Sequence, residues 1–338
     1  MQTKKAYTFF KIIFKSLFQI LTEIIIPNYN GKDLIRDCLL SLKNQSVENF
    51  RITVIDNGST DESCEIIERE FPDVNLIRLP NNTGFAKAVN IGIKEGFKSQ
   101  QIKYFILLNN DVECDYFFVE EMIKGFVSND VGSVASKMLN YYDRSLIDAA
   151  GDFLNRRGLP TARGNKMKDS EVFNKSEFVF SACAGAAAYR REALEIVGLF
   201  DEDFFAYYED VDIGFRLQLM KFKCYYNAKA ICYHKREATS SKTKGLTTKY
   251  CEKNLIALRI KNYPFFLLLR FEIFFIIARF LRYYRMLINN SFAVFASALG
   301  GYFMGLSEIR KSLSKRKTIQ KNRLLTDKEV LSILKLYK

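Results

Sequence analysis

Four short segments carry side chains able to do chemistry. Asp56 closes the apolar run Val54-Ile55-Asp56 and is followed by Asn57-Gly58-Ser59. A carboxylate there can accept hydrogen bonds from a ribose hydroxyl or a base N–H. It is equally the turn residue that caps a following helix. Asn109-Asn110-Asp111 follows Tyr104–Leu108, the most apolar stretch of the first half. An Asp ending a buried strand suits a divalent cation, because Mg2+ and Mn2+ take oxygen ligands and complete their shells with phosphates and water. The same dipeptide is also ordinary turn chemistry. Glu209, Asp210 and Asp212 end an acidic segment that begins at Asp201. Acids at a helix start have an electrostatic rationale. Their setting among Phe204, Phe205, Tyr207 and Tyr208 adds a second reading, since apolar walls raise a carboxyl towards the range of a general base. His234 is the sole histidine and follows the run Lys229–Tyr233. It reads as structural or as functional, and the neighbouring Lys235 and Arg236 suit a phosphate.

The elements that must position these groups alternate. Residues 23–30 form a predicted strand with a loop, and 32–45 an amphipathic helix. Residues 50–56 and 74–79 are strands, 63–71 and 84–97 helices, and 103–108 a buried strand. Such alternation implies a parallel sheet with right-handed crossovers, whose ligands bind beyond the carboxyl ends of the strands. The loops at Pro27–Asn30, Asp56–Asp61, Asn81–Phe85 and Asn109–Val112 are therefore the place for a site. After about residue 135 the rhythm loosens. Residues 141–178 form a polar connection, and a small-residue turn, a helix, the acidic loop and another helix follow. No internal repeat is present.

Composition narrows the function. A chain of 338 residues with 48% hydrophobic and 26% charged residues can bury one large core and a modest appendage. The net charge of +13 attracts anionic partners: nucleic acid, acidic lipid or nucleotide sugar. Seven cysteines with no C-x-x-C pair suit reduced thiols. One histidine excludes the H-E-x-x-H zinc site, and the absence of G-x-G-x-x-G and G-x-x-x-x-G-K-[ST] disfavours dinucleotide and P-loop sites. A nucleotidyltransferase would carry a Gly- and Arg-rich loop after the first strand, where this chain has Pro27-Asn28-Tyr29-Asn30-Gly31. A non-catalytic, basic membrane- or nucleic-acid-binding protein fits the charge, but no nucleic-acid motif accompanies it.

Taken in order, the segments PNYN, VIDNGSTD, NTGFAKAVNIG, LLNND, CAGAAAYRREAL, GLFDEDFFAYYEDVDIGFRL and YHKREATS resemble family 2 of the inverting glycosyltransferases, most of all its rhamnosyltransferase-type members. The resemblance runs from about Glu23 to Pro264. It implies a GT-A fold, a Rossmann-like, mostly parallel sheet flanked by helices, with a nucleotide-sugar half at 23–135 and an acceptor half at 136–262. Transfer of rhamnose or another hexose from a dTDP- or UDP-sugar to a hydroxyl of a lipid-linked or cell-surface glycan is the implied reaction. The resemblance places Pro27, Asn28, Tyr29, Asn30 and Asp56 around the nucleoside. Gly84, Phe85, Lys87 and Asn90 match the stretch that closes on the phosphates, and Asn109, Asn110 and Asp111 the metal and donor end. Asp111 matches the last Asp of a D-x-D motif whose first position is Asn109 here, so the cation would depend on the donor diphosphate. Asp210 matches the catalytic base, with Glu209 beside it, and His234 a second ligand of Mg2+ or Mn2+ in some members. Without tryptophan there is no Q-x-x-R-W segment, which favours single-sugar addition.

The ends of the chain suggest a surface. Residues 1–22 hold four lysines and no acid, with polar residues every three or four positions. They read as an interfacial helix or as a helix on the protein's own core, rather than as a signal peptide. Residues 263–305 have the aromatic and aliphatic content of a membrane helix, but Arg270, Glu272, Arg279, Arg282 and Arg285 interrupt it. From Leu306 ten Lys and Arg face three Asp and Glu. The expectation is peripheral or monotopic attachment to the cytoplasmic face of a membrane. The competing reading is that these helices complete the core or a homodimer interface.

Overall fold

The computed structural model describes residues 21–156, 158–235, 244–289 and 292–336. The expected N-terminal helix therefore lies outside the described residues, apart from its last two positions.

The first half builds as its periodicity dictates. Strand β1 (Leu21–Asn28), helix α1 (Ile35–Lys43), β2 (Phe50–Asp56), α2 (Ser63–Glu70), β3 (Asn75–Arg78), α3 (Phe85–Phe97) and β4 (Ile102–Leu108) follow one another. The strands lie parallel in the order β3-β2-β1-β4. Strand β4 is buried on both faces, as a parallel strand between helix layers must be. Phe105 and Leu107 enter the core under α3, while Ile106 and Leu108 enter the core under α1 and α2. The order reverses at β1, so the loops after β1 and β4 diverge and leave a crevice.

The second half widens the sheet with antiparallel pairs. Its elements are β5 (Val112–Cys114), α4 (Phe118–Lys124), β6 (Val131–Asn140), β7 (Ile147–Ala149), β8 (Asp152–Leu154), β9 (Pro160–Ala162), β10 (Glu177–Val179), β11 (Ala186–Arg190), α5 (Arg191–Val197), α6 (Glu209–Leu219) and β12 (Lys223–His234). Strand β11 inserts between β4 and β6, antiparallel to both, and its run of three alanines lets helices close over it. Strand β12 runs parallel to β6 and pairs its last residues with β5.

Five helices follow: α7 (Lys244–Asn262), α8 (Phe265–Ile288), α9 (Phe292–Ser307), α10 (Ile309–Asn322) and α11 (Asp327–Leu336). They share a third core with the acidic segment, in which Phe204, Val211 and Phe215 meet Leu258, Tyr263, Phe271, Phe275 and Val330. Helix α9 lies so close on α7 that a Cβ at Gly301 would stand 2.1 Å from the Lys249 carbonyl oxygen. No single described helix is long and apolar enough to cross a membrane; α9 and α10 reach that length and composition only as a pair bent by 57°. Arg316 and Gln320 of α10 donate to the carbonyls of Ile260, Tyr263, Lys261 and Asn262, fastening the pair to the end of α7.

Two of the charges that interrupt the apolar stretch 263–305 are paired within the fold. Glu272 pairs with Arg259 at 2.7 Å and Arg279 with the buried Glu252 at 2.8 Å. Arg279 points inward, whereas Glu272 keeps 43% of its side chain exposed at the edge of the inward face. The outward face keeps Phe265, Phe266, Leu269, Ile273, Phe274 and Phe280 exposed.

Candidate active site

Parallel register sets Asn28 beside Asp56 at the ends of β1 and β2. The Asn28 amide donates to Asp56 Oδ1 (3.1 Å) and Ser63 Oγ (3.0 Å), and its oxygen accepts from Asn110 Nδ2 (2.8 Å). Asn110 thus ties the β4 loop to the β1 loop across the switch point. The other oxygen of Asp56 accepts from the Ser59 N–H, the turn role foreseen as its alternative. Asp56 is almost wholly buried, whereas Tyr29 and Asn30 are exposed and Pro27 is half-buried. Asn30 adopts a left-handed φ of 50° and accepts from the Thr60 N–H, shaping the rim.

The next wall is the turn before α3. Asn57, which sequence reasoning passed over, donates to the Gly84 carbonyl and Asn82 and accepts from Thr83. Gly84 has φ +86°, and a Cβ there would lie 2.5 Å from the Phe205 ring and 2.6 Å from its carbonyl oxygen. Glycine is required on both counts. Phe85 is half-buried and Lys87 exposed on the first turn of α3. Asn90 is placed differently from the expectation of a donor contact. It is buried, accepts from the Phe200 N–H, and donates to the Phe200 carbonyl and Glu202. Its amide joins α3 to the acidic segment instead of facing the crevice.

Long-range strand pairing makes the third group. Because β5 pairs with β12, His234 lies opposite Val112 and so beside Asp111. His234 Nε2 is 3.3 Å from Asp111 Oδ1, and its Nδ1 is 2.6 Å from Asp148 Oδ2. Burial opposes a charged ring, but the two carboxylates overcome it and raise His234 to about 9. Asp111 Oδ1 is buried with no hydrogen-bond partner among the described residues. An orphaned carboxylate oxygen facing an imidazole nitrogen is a donor set that fits a divalent cation. With only two such ligands, a bound cation would need substrate oxygens and water to complete its shell. Among the described residues no cluster of three or more His, Cys, Asp or Glu stands ready to hold a metal alone. Asp148 went unseen in the sequence, because the connection holding it has no periodicity. The expectation that Lys235 suits a phosphate is not met in this arrangement, since its ammonium is bound to Asp37; Arg236 lies outside the described residues.

The acidic segment supplies the fourth group. Asp210 accepts from the Ala184 N–H (3.1 Å) and the Val211 N–H (2.8 Å). Burial raises its carboxyl above the usual range despite these donors. Glu209 is more deeply buried, and Oε2 has no partner among the described residues. Burial, followed by the charge of Asp210, raises it well above the usual range. Asp212 is set apart: it lies fully buried against Lys261 (2.8 Å) and Arg216 (3.0 Å). The backbone before Glu209 is strained. Phe205, Tyr207 and Tyr208 all have φ between 63° and 73°, which costs of order 1–3 kcal/mol each.

Two contacts bring the groups to one crevice. The Gly185 carbonyl accepts from the Asn109 N–H, one residue from the amide that binds Asp210. The Phe205 carbonyl accepts from the Ala86 N–H, joining the acidic loop to the turn before α3.

A parallel sheet with a crevice at its switch point, a carboxylate–imidazole pair at the end of β4 and the acidic pair Glu209–Asp210 define a GT-A glycosyltransferase fold and its candidate site. The chain belongs to glycosyl transferase family 2, whose model matches residues 23–198, just over half of it. It is 28% identical over 209 residues to the minor teichoic acid biosynthesis protein GgaA of Bacillus subtilis, covering 60% of this chain and 44% of that protein. It is 26% identical over 226 residues to the O-antigen biosynthesis protein RfbC of Myxococcus xanthus, covering 64% of this chain and 17% of that one. The chain thus spans less than half the length of either relative. In fold it is similar to the mannosyltransferase PcManGT from Pyrobaculum calidifontis, solved with GDP-Man and Mn2+ (TM-score 0.55, 16% identity, 89% of this chain and 86% of that one).

Proposed function

We propose that this glycosyltransferase moves one hexose, rhamnose or another, from a dTDP- or UDP-sugar to a hydroxyl of a lipid-linked or cell-surface glycan, with inversion. Asp210 takes the proton of the acceptor hydroxyl as that oxygen attacks the anomeric carbon, and the nucleoside diphosphate leaves from the opposite face. Asn28 and Asp56 hold the nucleoside, and the Gly84–Phe85 turn lies over its phosphates. Asp111 and His234 would hold Mg2+ or Mn2+, which when bound offsets the charge of the leaving diphosphate. Asp148 accepts from His234 Nδ1 and so leaves Nε2 as the nitrogen that would give up its proton to an incoming cation. The observation that carries this reading is the orphaned Asp111 Oδ1 beside His234, on the crevice that Asp210 also borders. A donor screen tests it: dTDP- and UDP-sugars are incubated with and without Mn2+, and released nucleotide is measured. Metal-dependent release from at least one donor is expected; none from any sinks the proposal.

The enzyme works, in this reading, against the anionic cytoplasmic face of a membrane, through the outward face of α8. Arg270, Arg282 and Arg285 lie on the same helix, and α10 adds the exposed Arg310, Lys311, Lys317 and Lys321. Arginines at an interface can reach the head groups while Phe and Leu bury. The same charges would repel across a two-fold contact with a second copy. Wild type is expected to float with anionic liposomes at low salt, and a Phe266→Ser, Phe274→Ser, Phe280→Ser variant to remain behind. Equal flotation of both, or concentration-dependent dimerisation lost in the variant, assigns the face otherwise.

A further inference from the structure

The segment that delivers Glu209 and Asp210 does not hold its own shape. At Phe205 φ is 63° and ψ −65°, and the Ala206 N–H donates back to the Phe204 carbonyl at 2.7 Å. That is a γ-turn of the rare, positive-φ kind. Tyr207 and Tyr208 continue with φ of 73° and 67°, and α6 begins at the next residue. Three non-glycine residues in this region persist only where the surroundings impose it.

Most of the hydrogen bonds that impose it come from one side chain. Asn254, in the middle of α7 and fully buried, aims Nδ2 at the carbonyls of Phe204, Ala206 and Tyr207, at 2.9, 2.8 and 2.8 Å. The amide orientation is forced, because an oxygen in that place would face three carbonyl oxygens. Oδ1 meanwhile finds no partner among the described residues, so the group is spent wholly on the turn. Tyr250, one helical turn earlier, stacks on Phe205 with ring centroids 5.0 Å apart, and Thr247 meets the Tyr207 hydroxyl at 2.9 Å. On its other side the turn touches both substrate walls, through Phe205 to Ala86 and through Asp210 to Ala184.

We infer that Asn254 is a positioning residue: its amide pins the strained 204–208 turn and thereby fixes the Asp210 carboxylate against the acceptor hydroxyl. The inference rests on Asp210 being the base. Residues 204–208 sit between the nucleotide turn and α6, so loosening them displaces the carboxylate while the remaining donor contacts stay. Misplacement of a catalytic group by about 1 Å costs up to about a hundred-fold in rate.

The test compares Asn254→Ala and the isosteric Asn254→Asp with Ile256→Ala. Ile256 is buried on the same helix but packs against Gly305, away from the turn. Both Asn254 variants are expected to lose about ten-fold or more in kcat, with donor KM within about three-fold. Amide exchange across residues 204–212 should rise about ten-fold in both, and Ile256→Ala should lower Tm without either change. Retention of kcat within about two-fold in both Asn254 variants, or an equal loss in Ile256→Ala, overturns the assignment. If Asn254→Asp does not fold, Asn254→Ser, which keeps one donor, should fall between wild type and Ala; equality with Ala overturns the role of the hydrogen bonds. If wild type transfers no sugar at all, the proposed reaction fails. Exchange then decides the clamp, and an unchanged 204–212 segment overturns it.

Discussion

The Nε2 atom of His234 lies 3.3 Å from Oδ1 of Asp111, a buried carboxylate oxygen with no hydrogen-bond partner among the described residues. Asp148 holds the opposite ring nitrogen at 2.6 Å and so fixes which one faces Asp111. His234→Ala should weaken transfer more than folding, and raising Mn2+ should partly restore it by mass action. Asp148→Asn should cost about 10–100-fold in metal affinity through the misoriented ring. Activity curves against Mn2+ at fixed donor check both. Normal activity of His234→Ala at limiting metal would return the residue to a structural role.

Asp111→Ala should remove the metal dependence of nucleotide binding. The diphosphate carries most of the donor's charge, and the cation is its main counter-charge. Calorimetry with UDP or dTDP decides: affinity in Mn2+ should fall to the metal-free value, and unchanged affinity removes Asp111 from the site.

Asp210→Asn should nearly abolish transfer and leave donor binding within a few-fold, since only the proton acceptor is lost. Glu209→Gln should keep more activity. Its carboxyl is the more deeply buried of the two and is pushed further towards the neutral form. Should Asp210→Asn keep more than about a tenth of wild-type turnover while Glu209→Gln does not, the two roles exchange.

Acid stability follows from Lys261. Asp201 and Asp212 are buried, which opposes their charge, yet Lys261 outweighs this and holds both carboxyls below the usual range, helped by Lys315 and Arg216. A carboxyl lowered in the fold stabilises it above the unfolded pKa of about 3.9, and that contribution disappears as pH falls through the folded values. The contribution of these two acids should therefore be constant from neutrality to about pH 5 and fall below about pH 4, read as the Tm difference between wild type and Lys261→Met. Lys261→Met should cost about 3–5 kcal/mol at neutral pH by stranding the two acids, and should abolish the acid slope between about pH 5 and 3. A Tm within about a degree of wild type would show that the pair contributes nothing net.

The parallel half of the sheet was legible because its signal is local. Ile24–Ile26, Val54–Asp56 and Phe105–Leu108 are short apolar runs bounded by turn residues, and parallel strands carry their ligands at the carboxyl ends. The loops at Asn28, Asp56 and Asp111 were found that way, and the start of α6 at Glu209 from its acids and the apolar period that follows. The sequence could also supply the expectation that His234 stands near Asp111, but only through resemblance, since 123 positions separate them.

What tertiary structure decided was the partner of each side chain. Asp148 reaches His234 because β7 pairs with β6 and β6 with β12, and no pattern in 141–178 encodes that. Asn90, set among donor-binding residues by its neighbours, turns its amide to Phe200 and Glu202 across 110 and 112 positions. Glu272 and Arg279 interrupt an apolar stretch in the sequence, and on the helix each is paired, Arg279 buried against Glu252 and the part-exposed Glu272 with Arg259. Asn254 lies in the run Glu252-Lys253-Asn254, which reads as an ordinary polar helix face. Periodicity records which face of an element is apolar, because burial acts on every residue of that face. Which polar group meets which depends on contacts between distant segments, and those exist only once the chain has closed.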